Sequence, residues 1–212
     1  MLWSQKQDKS DAMPRVTLAG PSVTLTPPQL EHCKQWIEVR ARNQTMLTPL
    51  EPVWPKNALT ADFYAKRLKR QAREWTRDSA YPFLIFENGS HDMIGGININ
   101  HVCRGAAQYA SLGYWLCQNY QRKGYMSEAL QLICRFSFEN MSLHRLNAAV
   151  LPDNQRSINL LIRNGFTEEG RAEKYIKIHG RWRDHILFGL PVEVWGDNNK
   201  TTAPVKLILT TK

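Results

Sequence analysis

The chain has 212 residues, of which 42% are hydrophobic and 10% aromatic, so it can bury the core of one domain and is not wholly disordered. No segment has the roughly 18 to 20 consecutive apolar residues of a membrane span, and the charged residues among the first twenty argue against a signal peptide. Lysine and arginine total 28 against 19 acidic residues, a net charge of +9 that favours acidic partners such as nucleic acid, a phosphorylated ligand or a ribosomal surface.

Polar tails without hydrophobic periodicity are predicted at both ends of the chain. They cover residues 1–15 and 196–212 and flank one domain at residues 16–195. The segment 205–210 could form a short strand or hang free. Inside the domain, Val23–Thr26 is predicted as a strand, after which Pro27 and Pro28 begin a helix that ends near residue 42.

Two contrasting segments follow this first helix. Three prolines between residues 48 and 55 predict an extended loop. A second helix is predicted from about residue 59 to 77, with Phe63, Leu68 and Trp75 on its apolar side. Seven cations stand against three acids from residue 56 to 78. This basic face has two interpretations, an ordinary solvated helix surface or a surface that faces a polyanion such as ribosomal RNA.

After residue 80 the hydrophobic pattern changes from helical spacing to alternation, and helices return later. The predicted order is three strands at 81–87, 93–102 and 108–116, a helix at 126–141, a strand at 145–151, a helix at 154–164, and closing strands around 175–178 and 182–188. The helix at 154–164 is expected to turn Ile158, Leu161 and Ile162 inward. The predicted fold class is therefore α/β (α+β), with a mixed, mostly antiparallel sheet flanked by helices.

A candidate anion-binding loop lies between the third of these strands and the helix at 126–141. It consists of Gln121, Arg122, Lys123, Gly124, Tyr125 and Met126. Backbone N–H groups at a helix start, together with the helix dipole, favour a phosphate there, and a glycine allows its close approach. On its own, such a segment is at least as often an ordinary polar helix start. The phosphate motifs GxxxxGK[ST] and GxGxxG are absent from the sequence.

In this context the loop resembles the Q/R-x-x-G-x-G/A motif of the GCN5-related N-acetyltransferase (GNAT) superfamily, preceded by a strand ending Gly113-Tyr114-Trp115-Leu116. Met126 replaces the small residue at the last motif position. The resemblance implies that the loop holds the pyrophosphate of acetyl-CoA. It also implies that Trp115 and Leu116 offer backbone groups to the pantetheine arm, which lies like an added strand.

Downstream motifs are similar to the RimJ/RimL branch of that superfamily, and to its RimJ type in particular. They are Pro152–Ser157, Arg163–Phe166, Glu169–Gly170, His179–His185 and Leu50–Val53. The resemblance covers about residues 20 to 190. It implies acetyl transfer to the N-terminal α-amine of a small-subunit ribosomal protein, with alanine as the acceptor residue. A ribosome or a ribosomal-protein N-terminus would then be the partner.

Candidate catalytic residues follow from the same resemblance. Glu51 is a candidate base or amine anchor, against a role in shaping its loop. Ser157 occupies the position proposed in the branch to protonate the departing thiolate. Asn154 is a natural helix N-cap and, in the family, contacts the cofactor arm, while Tyr175 is a candidate acid against an ordinary packing role. The position of the glutamate proposed as base in RimL-type members is occupied by Ile176.

Direct transfer asks little of a base, because an α-amine has a pKa near 7.7 to 8.0 and roughly a tenth of it is neutral at pH 7. The scattered histidines predict no metal site. The four cysteines, without a CxxC pair, predict reduced thiols in a cytoplasmic protein. Two alternatives stay open: an acetyltransferase for a polyamine, amino sugar or amino acid, and a ribosome-assembly binding protein without meaningful turnover.

Overall fold

The computed structural model describes residues 12–198 and 206–209, with side chains described for residues 12–196. Its strands are β1 (Val16–Ala19), β2 (Val23–Thr26), β3 (Tyr81–Glu87), β4 (Met93–Cys103), β5 (Tyr109–Leu116), β6 (Arg145–Val150), β7 (Thr167–Ile178), β8 (Arg181–Pro191) and β9 (Lys206–Leu209). Its α-helices are α1 (Cys33–Arg42), α2 (Gln44–Leu47), α3 (Ala61–Thr76), α4 (Tyr125–Arg135), α5 (Gln155–Arg163) and α6 (Val192–Asn198). None of these helices is long and apolar enough to cross a lipid bilayer.

All of these strands belong to one sheet, in the order β7-β8-β6-β5-β4-β3-β2-β1-β9. Neighbouring strands are antiparallel except β5 and β6, which run parallel. The mixed, mostly antiparallel sheet flanked by helices is thereby confirmed. The parallel pairing joins Tyr109–Leu112 to Arg145–Ala148 and goes no further. Beyond it β5 and β6 no longer pair with each other, although β5 still pairs with β4 and β6 with β8. This leaves a gap in the middle of the sheet.

The main core lies between α4 and one face of the sheet. The apolar residues at helical spacing in the segment predicted as a helix at 126–141 form a stripe, and all of them are buried; they are Met126, Ala129, Leu130, Ile133, Phe136 and Met141. After Arg135 the helix widens into a π-type turn at Phe136–Asn140. The stripe joins one cluster with the fully buried strand residues Ile94, Ile97 and Ile99. Burial of this apolar surface fixes the start of α4 next to the end of β5.

Helices α1 and α3 cover the opposite face of the sheet. Phe63 and Leu68 pack at the edge of a second cluster, as predicted, and the Trp75 ring contacts Tyr81 at 4.6 Å. The most buried side chains of α3 are instead Tyr64, Gln71 and Ala72. They recur at helical spacing, but a tyrosine and a glutamine do not register as an apolar stripe.

The cations of α3 do not form one free face. Lys66 pairs with Asp62 at 2.8 Å, and Arg70 pairs with Glu74 at 3.5 Å. The guanidinium of Arg67 lies 5.7 Å from the ring centre of Trp36. This arrangement favours the interpretation of α3 as an ordinary solvated surface with local ion pairs.

Some elements differ from the sequence predictions. Strand β1 and helix α6 were not predicted, and α6 crosses the predicted domain boundary at residue 196. Ile162 was expected to face inward but is 54% exposed. Ile158 and Leu161, three residues apart, define the buried line of α5, and Ile162 lies about 100° further round the helix, on the solvent side.

The two predicted tails are only partly described. Residues 1–11, 199–205 and 210–212 lie outside the described residues. Lys206–Leu209 forms strand β9, which pairs antiparallel with β1 of the same chain. This corresponds to the strand alternative for residues 205–210.

Candidate active site

The gap between β5 and β6 opens into a cleft of roughly 1880 Å³. Helices α4 and α5 line it on one side of the sheet, and the segment 46–52 and the β7–β8 hairpin line it on the other. Ten of the twelve residues predicted for the site line this cleft. They are Glu51, Trp115, Leu116, Gln121, Arg122, Gly124, Met126, Asn154, Ser157 and Tyr175. Lys123 and Tyr125 belong to the same loop but do not line the cleft.

The loop before α4 has the backbone shape of an anion-binding nest. Arg122 and Gly124 have φ values of +63° and +86°, and Gly124 is the N-cap of α4 without any side-chain cap. The first amides of α4 have no acceptor within their own helix. A Cβ atom on Gly124 would meet nothing within 4 Å, so the space before the helix is open to a ligand.

The remaining motif positions are accounted for by packing. Met126, which departs from the family motif, directs its side chain into the core and is 8% exposed. The ring of Tyr125 lies 6.1 Å from that of Tyr120, and Nζ of Lys123 lies 5.4 Å from the centre of the same ring. Met126 can therefore serve an anion only through its backbone, and its size does not obstruct the loop.

Helix α5 adds two cations that the sequence analysis missed. Arg156 and Arg163 line the cleft, and Nη1 of Arg156 donates to Oε1 of Gln121 at 2.8 Å. Arg156 thus ties α5 to the loop while adding positive charge beside it. The two arginines stand seven residues apart, which places them on one face of a helix; this spacing was the available signal.

The backbone of β5 is divided between β4 and the gap. The amide of Cys117 donates to the carbonyl of Ile94 on β4 at 2.7 Å. Because backbone groups alternate along a strand, those of Trp115 also face β4, and those of Tyr114 and Leu116 face the gap. The backbone groups of Trp115 are therefore used in pairing with β4, and Trp115 lines the cleft with its ring.

Ser157 forms a hydrogen-bonded pair with Tyr114, a residue that sequence reasoning missed. Their hydroxyl oxygens are 2.6 Å apart. Burial raises the pKa of Tyr114 to about 12, and the hydrogen bond with Ser157 opposes this shift. The phenol is thus protonated at neutral pH. Asn154 is confirmed as the N-cap of α5, since its Oδ1 accepts from the amide of Ser157 at 3.2 Å.

Glu51 is held by three neighbours. Its two carboxylate oxygens accept from Arg40 at 2.8 and 2.5 Å, and Nε1 of Trp54 donates to Oε2 at 2.8 Å. Its main-chain carbonyl accepts from the amide of His179, in the β7–β8 turn, at 2.8 Å. Glu51 therefore joins the proline-rich loop both to α1 and to the hairpin.

The β7–β8 hairpin brings Tyr175 beside His185, a second residue that sequence reasoning missed. Tyr175 is 51% exposed, and its ring lies 6.1 Å from that of His185, which is only 3% exposed. Nδ1 of His185 lies 3.0 Å from the carbonyl oxygen of Arg183. A carbonyl can only accept, so Nδ1 carries the proton and Nε2 keeps its lone pair. Burial lowers the pKa of this imidazole.

None of the four cysteines lines the cleft. Cys117 and Cys134 are buried, and burial raises the pKa of both thiols, that of Cys117 to about 11. Neither is a thiolate near pH 7. The described residues contain no group of three or more histidine, cysteine, aspartate or glutamate side chains that could hold a metal ion.

The sequence matches a known family and named relatives. The profile of the family described as Acetyltransferase (GNAT) domain matches residues 22–167. The ribosomal protein uS5-alanine N-acetyltransferase of Escherichia coli (strain K12) is 36% identical over 155 residues, 73% of this chain and 80% of that protein. The probable N-acetyltransferase YjcK of Bacillus subtilis (strain 168) is 30% identical over 173 residues, 82% of this chain and 96% of that protein.

Solved structures of two acetyltransferases are also similar to this chain. RimJ of Mycobacterium smegmatis in complex with CoA-disulfide has a TM-score of 0.79 and 28% identity, over 85% of this chain and 88% of that one. The ribosomal-protein-S5-alanine acetyltransferase of Vibrio fischeri has a TM-score of 0.78 and 27% identity, over 84% of this chain and 98% of that one.

Proposed function

This chain belongs to the GNAT acetyltransferase family, and we propose that it transfers the acetyl group of acetyl-CoA to the N-terminal α-amine, on alanine, of a small-subunit ribosomal protein. The observation that carries this choice of acceptor is the similarity to the uS5-alanine N-acetyltransferase of Escherichia coli. A ribosomal acceptor also implies a cytoplasmic location and fits the net charge of +9.

The residues of the cleft fit acetyl-CoA, which supplies the thioester. The left-handed Gly124 and the first amides of α4 suit the pyrophosphate, and Arg122 and Arg156 add charge there. The backbone groups of Tyr114 and the amide of Leu116, which face the gap, suit the amides of the pantetheine arm, as in an added strand. The Leu116 carbonyl already accepts from Nε2 of Gln121 at 3.3 Å. Asn154 at the start of α5 lines the same cleft, which supports a contact with this arm.

The charges of the cleft favour a peptide acceptor over a polyamine. Its two lining carboxylates, Glu51 and Glu169, are each paired with an arginine, Arg40 and Arg145 respectively. A site for a polycation needs carboxylates that are free to pair with it. The binding-protein alternative loses support as well, because the basic helix α3 on which it relied has paired cations.

We propose that His185, and not Glu51, accepts the proton that the acceptor amine loses. Both oxygens of Glu51 accept hydrogen bonds from Arg40, which suits an anchor for the loop and not a base. His185 lines the cleft, and its Nε2 has no hydrogen-bond partner among the described residues. It can take the proton directly or through one water, and its lowered pKa keeps it neutral near pH 7.

Ser157 and Tyr114 serve the leaving group. As the amine nitrogen attacks the thioester carbonyl and the carbon–sulfur bond breaks, the hydroxyl pair donates a hydrogen bond to the departing thiolate. Full transfer from the phenol is uphill, because a thiol has a pKa near 8.5 and that of Tyr114 is about 12. The pair therefore stabilises developing charge, and solvent completes the protonation. Tyr175, on the hairpin side of the cleft, contributes to acceptor binding.

Replacing the proposed base and the proposed anchor should have different kinetic signatures. We expect His185→Gln to lower kcat/KM for an alanine peptide about tenfold at pH 7, with the deficit shrinking above pH 8 as the ammonium group loses its proton to solvent. Glu51→Gln should raise the peptide KM and leave the pH dependence unchanged, because it loosens the loop.

The measurement is a pH–rate profile from pH 6 to 9, with His91→Gln, an exposed histidine outside the cleft, as the control. Thermal unfolding of each variant checks folding. A profile altered by Glu51→Gln and not by His185→Gln would exchange the two roles.

The acceptor class is tested by direct competition. The enzyme, acetyl-CoA, an N-terminal alanine peptide and spermidine are mixed at equal acceptor concentrations, and products are identified by mass. We expect one acetyl group on the peptide and none on the same peptide with a blocked N-terminus and an internal lysine. Preferential acetylation of spermidine would refute the peptide acceptor.

A further inference from the structure

A row of uncharged polar side chains crosses three neighbouring strands on the face of the sheet opposite α4. Asn100 of β4 is paired with Ser111 of β5, and Ser111 is paired with Asn147 of β6. Asn98 lies two residues from Asn100 on β4, so it shares the same face. Because paired residues present side chains on one face, the four form a continuous patch, and all four line the cleft.

This patch, the polar row, contrasts with the other face of the same strands. There, Ile97 and Ile99 of β4 and Ala110 of β5 are fully buried in the main core. On the row itself the side chains are half-buried. These strands are therefore apolar on the face that α4 covers and polar where their opposite face lines the cleft.

The row is largely without internal hydrogen bonds. Among the described residues, the side chains of Asn98, Asn100 and Ser111 have no hydrogen-bond partner. In Asn147, Oδ1 accepts from Nε of Arg145 at 2.7 Å, and its amide N–H groups stay unpaired. Half-buried polar groups bind water or a ligand when the protein supplies no partner. Three amides and a hydroxyl side by side therefore form a surface with unused donors and acceptors.

The position of the row relates it to the reaction. The rung Ser111–Asn147 is followed by Leu112–Ala148, the last rung before β5 and β6 become unpaired. The row therefore borders the point where the gap opens, beside the backbone of Tyr114. Gly113, opposite Asn98, has no side chain, and a Cβ there would lie 3.4 Å from Nδ2 of Asn100. The side chain of Asn100 therefore lies close to Gly113, and both residues line the open cleft.

We propose that Asn98, Asn100, Ser111 and Asn147 form a subsite that hydrogen-bonds the main chain of the acceptor beyond its first residue. The inference rests on the proposed function and specifies its substrate class. A side-chain amide both donates and accepts, which matches the N–H and C=O groups of a peptide. A protonated polyamine offers donors only. Because the row carries no charge, it recognises peptide groups irrespective of the acceptor side chains.

The experiment compares a four-residue alanine peptide with alaninamide, an acceptor that ends after the first residue. The quantity is the ratio of kcat/KM for the peptide to kcat/KM for alaninamide. We expect Asn100→Leu, which keeps the approximate volume but removes the amide, to lower this ratio about tenfold, the size of a lost hydrogen bond. Asn119→Leu, an exposed asparagine outside the cleft, should keep the parent ratio.

A second substrate tests the main-chain contact itself. In a depsipeptide, an ester oxygen replaces the N–H between the second and third residues. The parent enzyme should lose about tenfold in kcat/KM on this substrate relative to the peptide, and Asn100→Leu should lose less. Ser111→Ala offers a milder variant of the same row if Asn100→Leu does not fold.

The outcomes separate the two proposals. An unchanged peptide-to-alaninamide ratio in folded Asn100→Leu and Ser111→Ala variants overturns the subsite while the peptide acceptor stands. Failure of the parent enzyme to acetylate the peptide and alaninamide, while spermidine is acetylated, overturns the proposed function itself.

Discussion

Gly124→Trp should raise the dissociation constant for acetyl-CoA at least about 100-fold while leaving the domain folded. An indole at this position fills the space before α4 that is open in the structure. It thereby blocks the access of a phosphate to the first amides of the helix. Loss of two charge-assisted hydrogen bonds is sufficient for an effect of this size.

The strain of a side chain at left-handed φ must be separated from this effect. Gly105 has a φ of +68°, and a Cβ there would also meet nothing within 4 Å. Gly105→Trp therefore carries a comparable backbone cost, of about 1 to 2 kcal/mol, away from the cleft. Isothermal titration with acetyl-CoA should show parent-like affinity for Gly105→Trp. Binding of folded Gly124→Trp within threefold of the parent would remove the loop from the account.

Ser157→Ala should lower kcat about 100-fold and change the dissociation constant of acetyl-CoA by less than threefold. The hydroxyl stabilises the thiolate in the transition state more than it contributes to ground-state binding. Tyr114→Phe, which keeps the ring but removes the partner at 2.6 Å, should lower kcat by about tenfold, since Ser157 can still donate.

Ser79→Ala is the matched control for this prediction. It removes one side-chain hydrogen bond, donated by Oγ of Ser79 to Glu74 at 3.0 Å, from a serine that does not line the cleft. Thiol release, followed with a colorimetric thiol reagent, gives kcat, and titration gives binding. If Ser157→Ala weakens acetyl-CoA binding as much as it lowers turnover, Ser157 is a binding residue and the leaving-group role is wrong.

The fold was largely predictable because its elements have strong local signals. The stripe that begins on α4 at Met126 and continues through the π-type turn to Met141 is buried at every member. Strand β3 matches its predicted bounds, Tyr81–Glu87, because a compact apolar run is followed by an Asn-Gly turn. Strand β1 was missed although it has the length and alternating burial of β2, which was predicted; its alternation of Val16 and Leu18 with less buried neighbours was an available signal.

The shape of the loop before α4 was predictable for a different reason. It is set by consecutive residues at one helix start, so the signal is contiguous in the sequence. The left-handed Gly124 is the position where a glycine was required. Predictions that depend on one short segment need no knowledge of the register of distant strands.

The pairings of the cleft were not predictable in that way. Tyr114 and Ser157 stand 43 residues apart, and Arg40 and Glu51 stand on a helix and a loop. Such contacts depend on how β5, α5 and α1 meet, and no local pattern specifies that. The same holds for Trp115, whose backbone orientation follows from the pairing of β5 with β4. Glu51 is the clearest case, because only the structure shows that Arg40 donates hydrogen bonds to both of its carboxylate oxygens.

The ribosomal acceptor can be tested by intact-mass spectrometry of small-subunit ribosomal proteins from a strain lacking this enzyme, after incubation with the enzyme and acetyl-CoA. We expect one added acetyl group on a single protein, located at an N-terminal alanine by peptide sequencing, and no addition with Gly124→Trp. Unchanged masses of all these proteins, with an enzyme that binds acetyl-CoA, would contradict the ribosomal acceptor.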